Sequence, residues 1–220
     1  MRPKQTLVLG LILLVPVLAF LFLKSFGTNR YALPTYLPDY VDSTQVDGKW
    51  QRDTVFHQVG DFRLPAQSGR EVSQSELADK GLYVASFFET GSADYQRLNT
   101  QLMRVQEKFR REPRVKMASF SADPAHDSVA VLSRYAEQYG AIAGKWFFLT
   151  GDEATLNKVA TQEFRLSPAA GTSGGLQHGQ RVFLVDKDRR VRGIYDGTSE
   201  KEINRLMTEI EVLLYTYDHE

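Results

Sequence analysis

The sequence predicts an α/β fold in which a mixed central sheet is flanked by helices, with a membrane-spanning helix at the N-terminus. Three observations predict it. From residue 54 onward, short apolar runs of strand length alternate with stripes of helical period. Two closely spaced strands and a long amphipathic helix then close the chain. The first 23 residues, finally, contain a long apolar run without charge.

That run follows Arg2 and Lys4 and extends from Thr6 to Leu23, eighteen residues without a charged side chain. At a rise of about 1.5 Å per residue it spans ~27 Å, against a hydrocarbon core of roughly 30 Å. Pro16 is tolerated in such a helix. The rival reading is a cleaved signal peptide, whose apolar stretch is normally shorter and ends in small residues. Here it ends Phe20-Leu-Phe-Leu-Lys-Ser-Phe26, so residues 1–23 read as an anchor. The basic residues before it favour a single-pass protein of the cell membrane with its C-terminal domain exported to the periplasm, although Lys24 and Arg30 weaken the asymmetry. Residues 24–53 are polar, show neither period and read as an extended tether. Residues 54–220 form the folded domain.

Within that domain, Gln67-Ser-Gly69 is a hairpin-like turn between two short extended stretches, and Ser73-Gln-Ser-Glu76 is a capping box. Leu82–Phe88 is a strand. A helix follows from about Ser92 to Arg111, with Tyr95, Leu98, Leu102, Val105 and Phe109 as its buried stripe. Val115–Phe120 is the next strand, and a helix opening at Asp127-Ser128 ends near Gly140. Trp146–Leu149 is a third strand, and Thr150-Gly-Asp-Glu153 is a capping box for a helix through Glu163. Pro168–Gly175 is a loop. Strands Arg181–Asp186 and Val191–Tyr195 flank a charged turn, and Ser199-x-x-Glu202 caps the last helix, whose buried side includes Ile203, Leu206, Ile210, Leu213 and Leu214. This is the thioredoxin order: βαβα, a connection, then ββα.

Composition narrows the chemistry. Of 220 residues, 27 are basic and 27 acidic, which argues against a dedicated nucleic-acid binder. There is no cysteine, which excludes disulfides, thiolate-held zinc, iron–sulfur clusters, thiol enzymes and lipoprotein attachment. Yet Ala85–Gln96 has the layout of a thioredoxin-type active-site turn, a place where a helix N-terminus normally lowers a thiol pKa. The positions four apart there are Gly91 and Tyr95.

Several motifs in order carry a family resemblance: Ser119-Phe-Ser-Ala-Asp-Pro-Ala-His-Asp-Ser128, Leu132-Ser-Arg-Tyr-Ala136, Trp146-Phe-Phe-Leu-Thr-Gly151, His178-Gly-Gln-Arg-Val-Phe-Leu-Val-Asp186 and Arg192-Gly-Ile-Tyr-Asp-Gly197. The chain resembles the Sco/SenC family of membrane-tethered, thioredoxin-fold copper chaperones for cytochrome c oxidase assembly. The resemblance implies a metal site of two cysteines in a Cys-x-x-x-Cys turn plus one distant histidine. The histidine falls at His178; the cysteine positions fall at Gly91 and Tyr95. Copper(I) favours thiolate or thioether donors, and neither residue supplies one. The expectation is therefore a non-enzymatic, monomeric member with a degenerate site and no cofactor. It would act by binding oxidase assembly components or an intact Sco-like paralogue. The alternative is a weak copper or zinc site made by His178 with Glu89 or Asp94; the simpler reading makes His178 structural and the carboxylates charges near a helix N-terminus.

Tyr95 reads as a core aromatic filling the lost site. Asp123-Pro124 and Asp127 read as turn and cap residues. Lys108, Arg110, Arg111, Arg114 and Lys116 read as a solvated helix end, with anionic lipid or an acidic partner as the alternative. Gly171-Thr-Ser-Gly-Gly175 is similar to the nucleophile turn of trypsin-like proteases, but that turn belongs to an all-β barrel and needs an oriented base. It reads here as a loop near His178.

Overall fold

The computed structural model describes residues 12–22, 33–46, 49–167 and 180–219. The chain divides into two units, Met1–Ala32 and Leu33–Glu220. In the first, residues 12–22 form helix α1, and its apolar side chains, Ile12 to Phe22, are exposed. Among the described residues no helix is long and apolar enough to cross a membrane. The remainder of the expected 1–23 anchor lies outside those residues.

The second unit is built on a five-stranded sheet. Its strands are β5 (Leu82–Phe88), β6 (Val115–Ser121), β7 (Trp146–Leu149), β8 (Arg181–Val185) and β9 (Val191–Asp196). They lie in the order β7-β6-β5-β8-β9; β5, β6 and β7 are parallel, β8 runs antiparallel to β5, and β9 runs antiparallel to β8. Helices α3 (Asp94–Lys108) and α4 (Val129–Gln138) are the two crossovers of the parallel part. Both step the same way across the sheet, so right-handed connection puts both on one face. Helix α6 (Glu200–Tyr217) joins them there. The other face is covered by the hairpin β3 (Arg63–Pro65) and β4 (Glu71–Ser73), the short helix α2 (Gln74–Leu77), and α5 (Glu153–Lys158), which continues as a π-helical turn over Val159–Glu163.

The strands divide their side chains between these two cores with period two. Leu82, Val84, Phe88, Val115, Met117, Trp146, Phe148, Val182 and Leu184 face α3, α4 and α6. Tyr83, Ala85, Phe87, Ala118, Phe120, Phe147, Leu149, Phe183 and Val185 face the other way. Buried on both faces, these strands read as continuous apolar runs. The polar exceptions on the α3 side satisfy each other: Ser86 and Ser119 meet at 2.9 Å across β5 and β6, and Trp146 Nε1 donates to Ser119 Oγ at 3.0 Å.

Some local signals act where the chain predicts them and others do not. Ser73 and Ser199 cap α2 and α6 by accepting from the amides of Glu76 and Glu202. The expected cap at Thr150 is corrected to Asp152, which accepts from Thr155 N at 2.8 Å. Thr150 is held elsewhere, its amide donating to Pro65 O at 3.0 Å. Within the expected 24–53 tether, β1 (Pro38–Val46) pairs antiparallel with β2 (Lys49–Phe56) as a separate ribbon. Its described side chains at residues 40–43, 50, 52 and 53 are exposed, and its sequence shows no apolar alternation.

Candidate functional site

Strand β5 ends at Phe88 in the centre of the sheet, and the turn over residues 89–93 leads into α3. Helix α3 begins at Asp94, two residues later than the expected Ser92; Ala93 is its N-cap and makes no side-chain cap bond. Gly91 therefore lies in the turn rather than in the helix, and only Tyr95 belongs to the first helical turn. Gly91 is exposed, and a Cβ placed there would meet nothing within 4 Å. Tyr95 is only 8% exposed and packs in the core with Leu98, Leu102 and Phe88. The two positions that the family resemblance pairs thus differ in kind: one is open space, the other is core.

The turn is tied down by a residue that the sequence reading placed as a cap. Asp127 is not the cap of α4; Ser128 is, accepting from Val131 N. Asp127 is buried at 1% exposure. One of its carboxylate oxygens accepts from Thr90 Oγ1 in the turn, and the other accepts from Ser121 Oγ at 2.6 Å at the end of β6. Ser121 Oγ in turn accepts from Asp123 N at 3.1 Å, and Ala122 N donates to Phe88 O at 2.8 Å. Both loops at this end of the sheet are fastened together through one carboxylate and one backbone bond. Beside it, Tyr135 stacks on Phe88 with ring centroids 5.3 Å apart and accepts from Asn99 Nδ2 at 2.8 Å. Burial, and after it the neighbouring Tyr139, pushes the Tyr135 hydroxyl well above the usual phenol range, and the Asp127 carboxylate adds to the shift. Two signals pointed to Asp127: it is a charge between an apolar strand and a helix, and it adjoins a serine able to cap unaided.

His178 and the loop 168–175 lie outside the described residues. Asp94 opens α3, and Glu89 is half-buried at the other side of Gly91. The chain enters β8 beside α3: Gly197 N donates to Gln180 O at 2.8 Å, and a Cβ on Gly197 would come within 2.3 Å of Leu98 Cδ1. Among the described residues no group of three or more histidine, aspartate or glutamate side chains is placed to hold a metal. The donors at the turn do not fit copper(I), because they are carboxylate and hydroxyl oxygens. The basic group at the far end of α3 is largely engaged: Lys108 with Glu211, Arg110 with Glu107, Arg114 with Glu112 and Asp218, and Lys116 with Glu76 O.

A second polar cluster sits at the root of the ribbon, on the opposite face of the sheet. His57 Nε2 lies 3.2 Å from Glu163 Oε2 and its Nδ1 lies 3.6 Å from Asp39 Oδ1. The same Glu163 oxygen accepts from Gly60 N at 2.6 Å. The carboxylates stand on opposite sides of the imidazole, an arrangement that orients the ring rather than surrounding an ion.

Comparison with known proteins agrees with this architecture. A family model described as SCO1/SenC matches residues 51–214. The SCO1 protein homolog of Bacillus subtilis (strain 168) is 23% identical over 168 residues, covering 74% of this chain and 86% of that protein. Among solved structures, a SCO1/SenC family lipoprotein from Bacillus anthracis str. Ames matches with a TM-score of 0.64 at 21% identity, covering 71% of this chain and 95% of its own. BsSco, described as having a disulfide switch and as a member of the Sco family of cytochrome c oxidase assembly proteins, matches with a TM-score of 0.58 at 23% identity, over 70% of this chain and 91% of its own. These likenesses establish a thioredoxin-like α/β fold with a mixed central sheet.

Proposed function

The chain belongs to the SCO1/SenC family, as a member without the Cys-x-x-x-Cys motif, and we propose that it is an accessory factor in assembly of the cytochrome c oxidase copper site. It acts by binding a partner and not by catalysis. The observation that carries this reading is the turn itself. The turn is closed through Thr90 and Asp127, while the two positions where the resemblance puts ligands hold a bare Gly91 and a core Tyr95. The description of the similar BsSco as one of the cytochrome c oxidase assembly proteins supports the assembly role. The partners are oxidase assembly components or a cysteine-bearing Sco-like paralogue, met by a monomeric domain without a cofactor. An N-terminal anchor holds that domain at the periplasmic side of the cell membrane. The uncharged run Thr6–Leu23 and the bare apolar side chains of α1 support this part of the reading.

Deleting the gene should lower the copper content of the oxidase, and the cysteine-free chain should restore it. An unchanged oxidase would sink the proposal. In a copper(I) competition against a thiol-type chelator, the wild-type protein should leave the metal with the chelator. Gly91→Cys with Tyr95→Cys should take it up, and His178→Ala should weaken that gain. Position 91 has room for the new side chain, whereas losing the Tyr95 ring costs about 3 kcal/mol, so folding is checked first by circular dichroism. A folded double variant that ignores copper would show that this turn no longer has the family geometry.

A second reading is a weak copper(II) or zinc site formed by His178 with Glu89 or Asp94. The approach of Gln180 to α3 through Gly197 and Leu98 favours it. Calorimetric zinc binding abolished by His178→Ala would support it; binding that survives that change would remove it.

A further inference from the structure

The ribbon β1–β2 has a sidedness that the proposed function leaves unused. Its root is fixed to the domain. Arg165 donates to Pro38 O at 2.8 Å and pairs with Asp39, His57 N donates to Leu37 O at 2.9 Å, and Tyr36 N donates to Val191 O at 2.8 Å. Beyond the root the strands are uncovered: Tyr40 is 61%, Val41 58% and Trp50 70% exposed.

The register pairs Val41 with Thr54, Ser43 with Arg52, and Asp42 with Asp53. Residues in register, and residues two apart along a strand, share a face. One face therefore carries Val41, Ser43, Trp50, Arg52 and Thr54. The other carries Tyr40, Asp42, Asp53 and Val55, with its two carboxylates directly opposed. Like charges in that position oppose pairing, so the acidic face is suited to water and to cations, not to an anionic surface. The first face presents an indole, a branched aliphatic and a guanidinium, and among its described side chains no acid. An amphipathic aromatic ring beside a cation is the composition found where membrane meets water.

Lipid is also the surface that this chain brings within reach. The apolar run ends at Leu23, fifteen residues before Pro38, a length that extends to at most about 50 Å. We propose that the Trp50–Arg52 face of the ribbon docks against anionic lipid headgroups and holds the domain on the bilayer surface. The inference rests on the N-terminal anchor of the proposed function.

The chain's two tryptophans are Trp50 and Trp146, and Trp146 is fully buried, so quenching at the membrane surface reports on Trp50. The full chain is reconstituted in vesicles of phosphatidylcholine and phosphatidylglycerol, with and without a headgroup nitroxide lipid, and floated on a density gradient. The expected result is flotation together with loss of part of the tryptophan emission. Trp50→Phe should remove the quenched part. Arg52→Glu should reduce quenching in the anionic vesicles to the level seen in phosphatidylcholine alone. A protein that floats with unquenched emission would overturn the docking and leave the anchor standing; the ribbon then faces water, a protein partner or a second copy. Quenching that persists in Trp50→Phe would overturn it as well. A protein that does not float would overturn both.

Discussion

At its N-terminal end α3 is held through neutral hydroxyl donors that converge on one buried carboxylate. Thr90 and Ser121 both donate to Asp127, and the helix has Ala93 as an N-cap that makes no side-chain cap bond. At its C-terminal end the same helix is held by cations. Lys108 pairs with Glu211 at 2.8 Å, Arg114 with Glu112 at 2.9 Å and Asp218 at 2.6 Å, and Lys145 Nζ donates to Glu112 O and Val115 O, both at 2.8 Å. This polarity follows the helix dipole, which favours negative charge at the start and positive charge at the end. The two ends differ in redundancy. The far end has several partly exposed pairs, any of which can open while the others hold. The turn end converges on one buried carboxylate that serves two loops beside the backbone bond from Ala122 N to Phe88 O. The turn where the family resemblance places the ligands thus leans on one buried side chain more than the far end does.

The largest effect should come from that acceptor. Asp127→Ala strands the buried Ser121 hydroxyl and releases the half-buried Thr90 hydroxyl, and a buried unsatisfied group costs about 1–3 kcal/mol. A loss of about 3 kcal/mol in urea denaturation is expected at unchanged m-value, with faster amide exchange at Ala122. Asp127→Asn, which keeps one carbonyl acceptor, should lose about half as much. A cost below about 1 kcal/mol for the alanine variant would mean that the two ends of α3 are equally redundant.

Lys145 is the test of the far end. It is 7% exposed, and burial holds its ammonium below the ordinary lysine range. Part of what its two carbonyl bonds contribute is therefore offset by desolvation. Lys145→Met retains the packing of the stem and should cost about 1 kcal/mol, less than Asp127→Ala. A cost equal to that of Asp127→Ala would erase the contrast between the ends.

Which of these features the sequence discloses depends on how local their causes are. The strands Leu82–Phe88 and Trp146–Leu149 are legible residue for residue because both faces are buried and the apolar run ends where the strand does. The stripe from Tyr95 to Phe109 is legible for the same reason at helical period. Asp152 is not distinguishable from Thr150 as a cap by type. The choice follows from a bond between Thr150 N and Pro65 O, made far along the chain. Asp127 escapes because its partner Thr90 is 37 residues away, and the ribbon escapes because neither of its faces is apolar. The family motifs located the turn. The helical stripe placed Tyr95 in the core, where it lies, but the motifs did not reveal that Gly91 precedes the helix, since four residues of spacing have different meanings in a turn and in a helix.

The smallest effect should come from the Arg114–Glu112 pair of the far-end group. Arg114 and Glu112 have side chains 31% and 26% exposed, so the pair is partly screened and contributes about 0.5–1 kcal/mol. The Arg114 guanidinium, bonded to Glu112, holds its carboxyl below the usual carboxylate range. A carboxyl whose folded pKa is depressed contributes stability above its unfolded pKa of about 4.3 and loses it as pH falls through the lower folded value. The stability difference between wild type and Glu112→Gln should therefore be flat from neutral pH to about pH 5 and shrink below about pH 4. The loss caused by Asp127→Ala at neutral pH should exceed it severalfold. If instead Glu112→Gln proved the costlier change at neutral pH, the far end of α3 would be the specified end, and the turn would be the part that tolerates substitution.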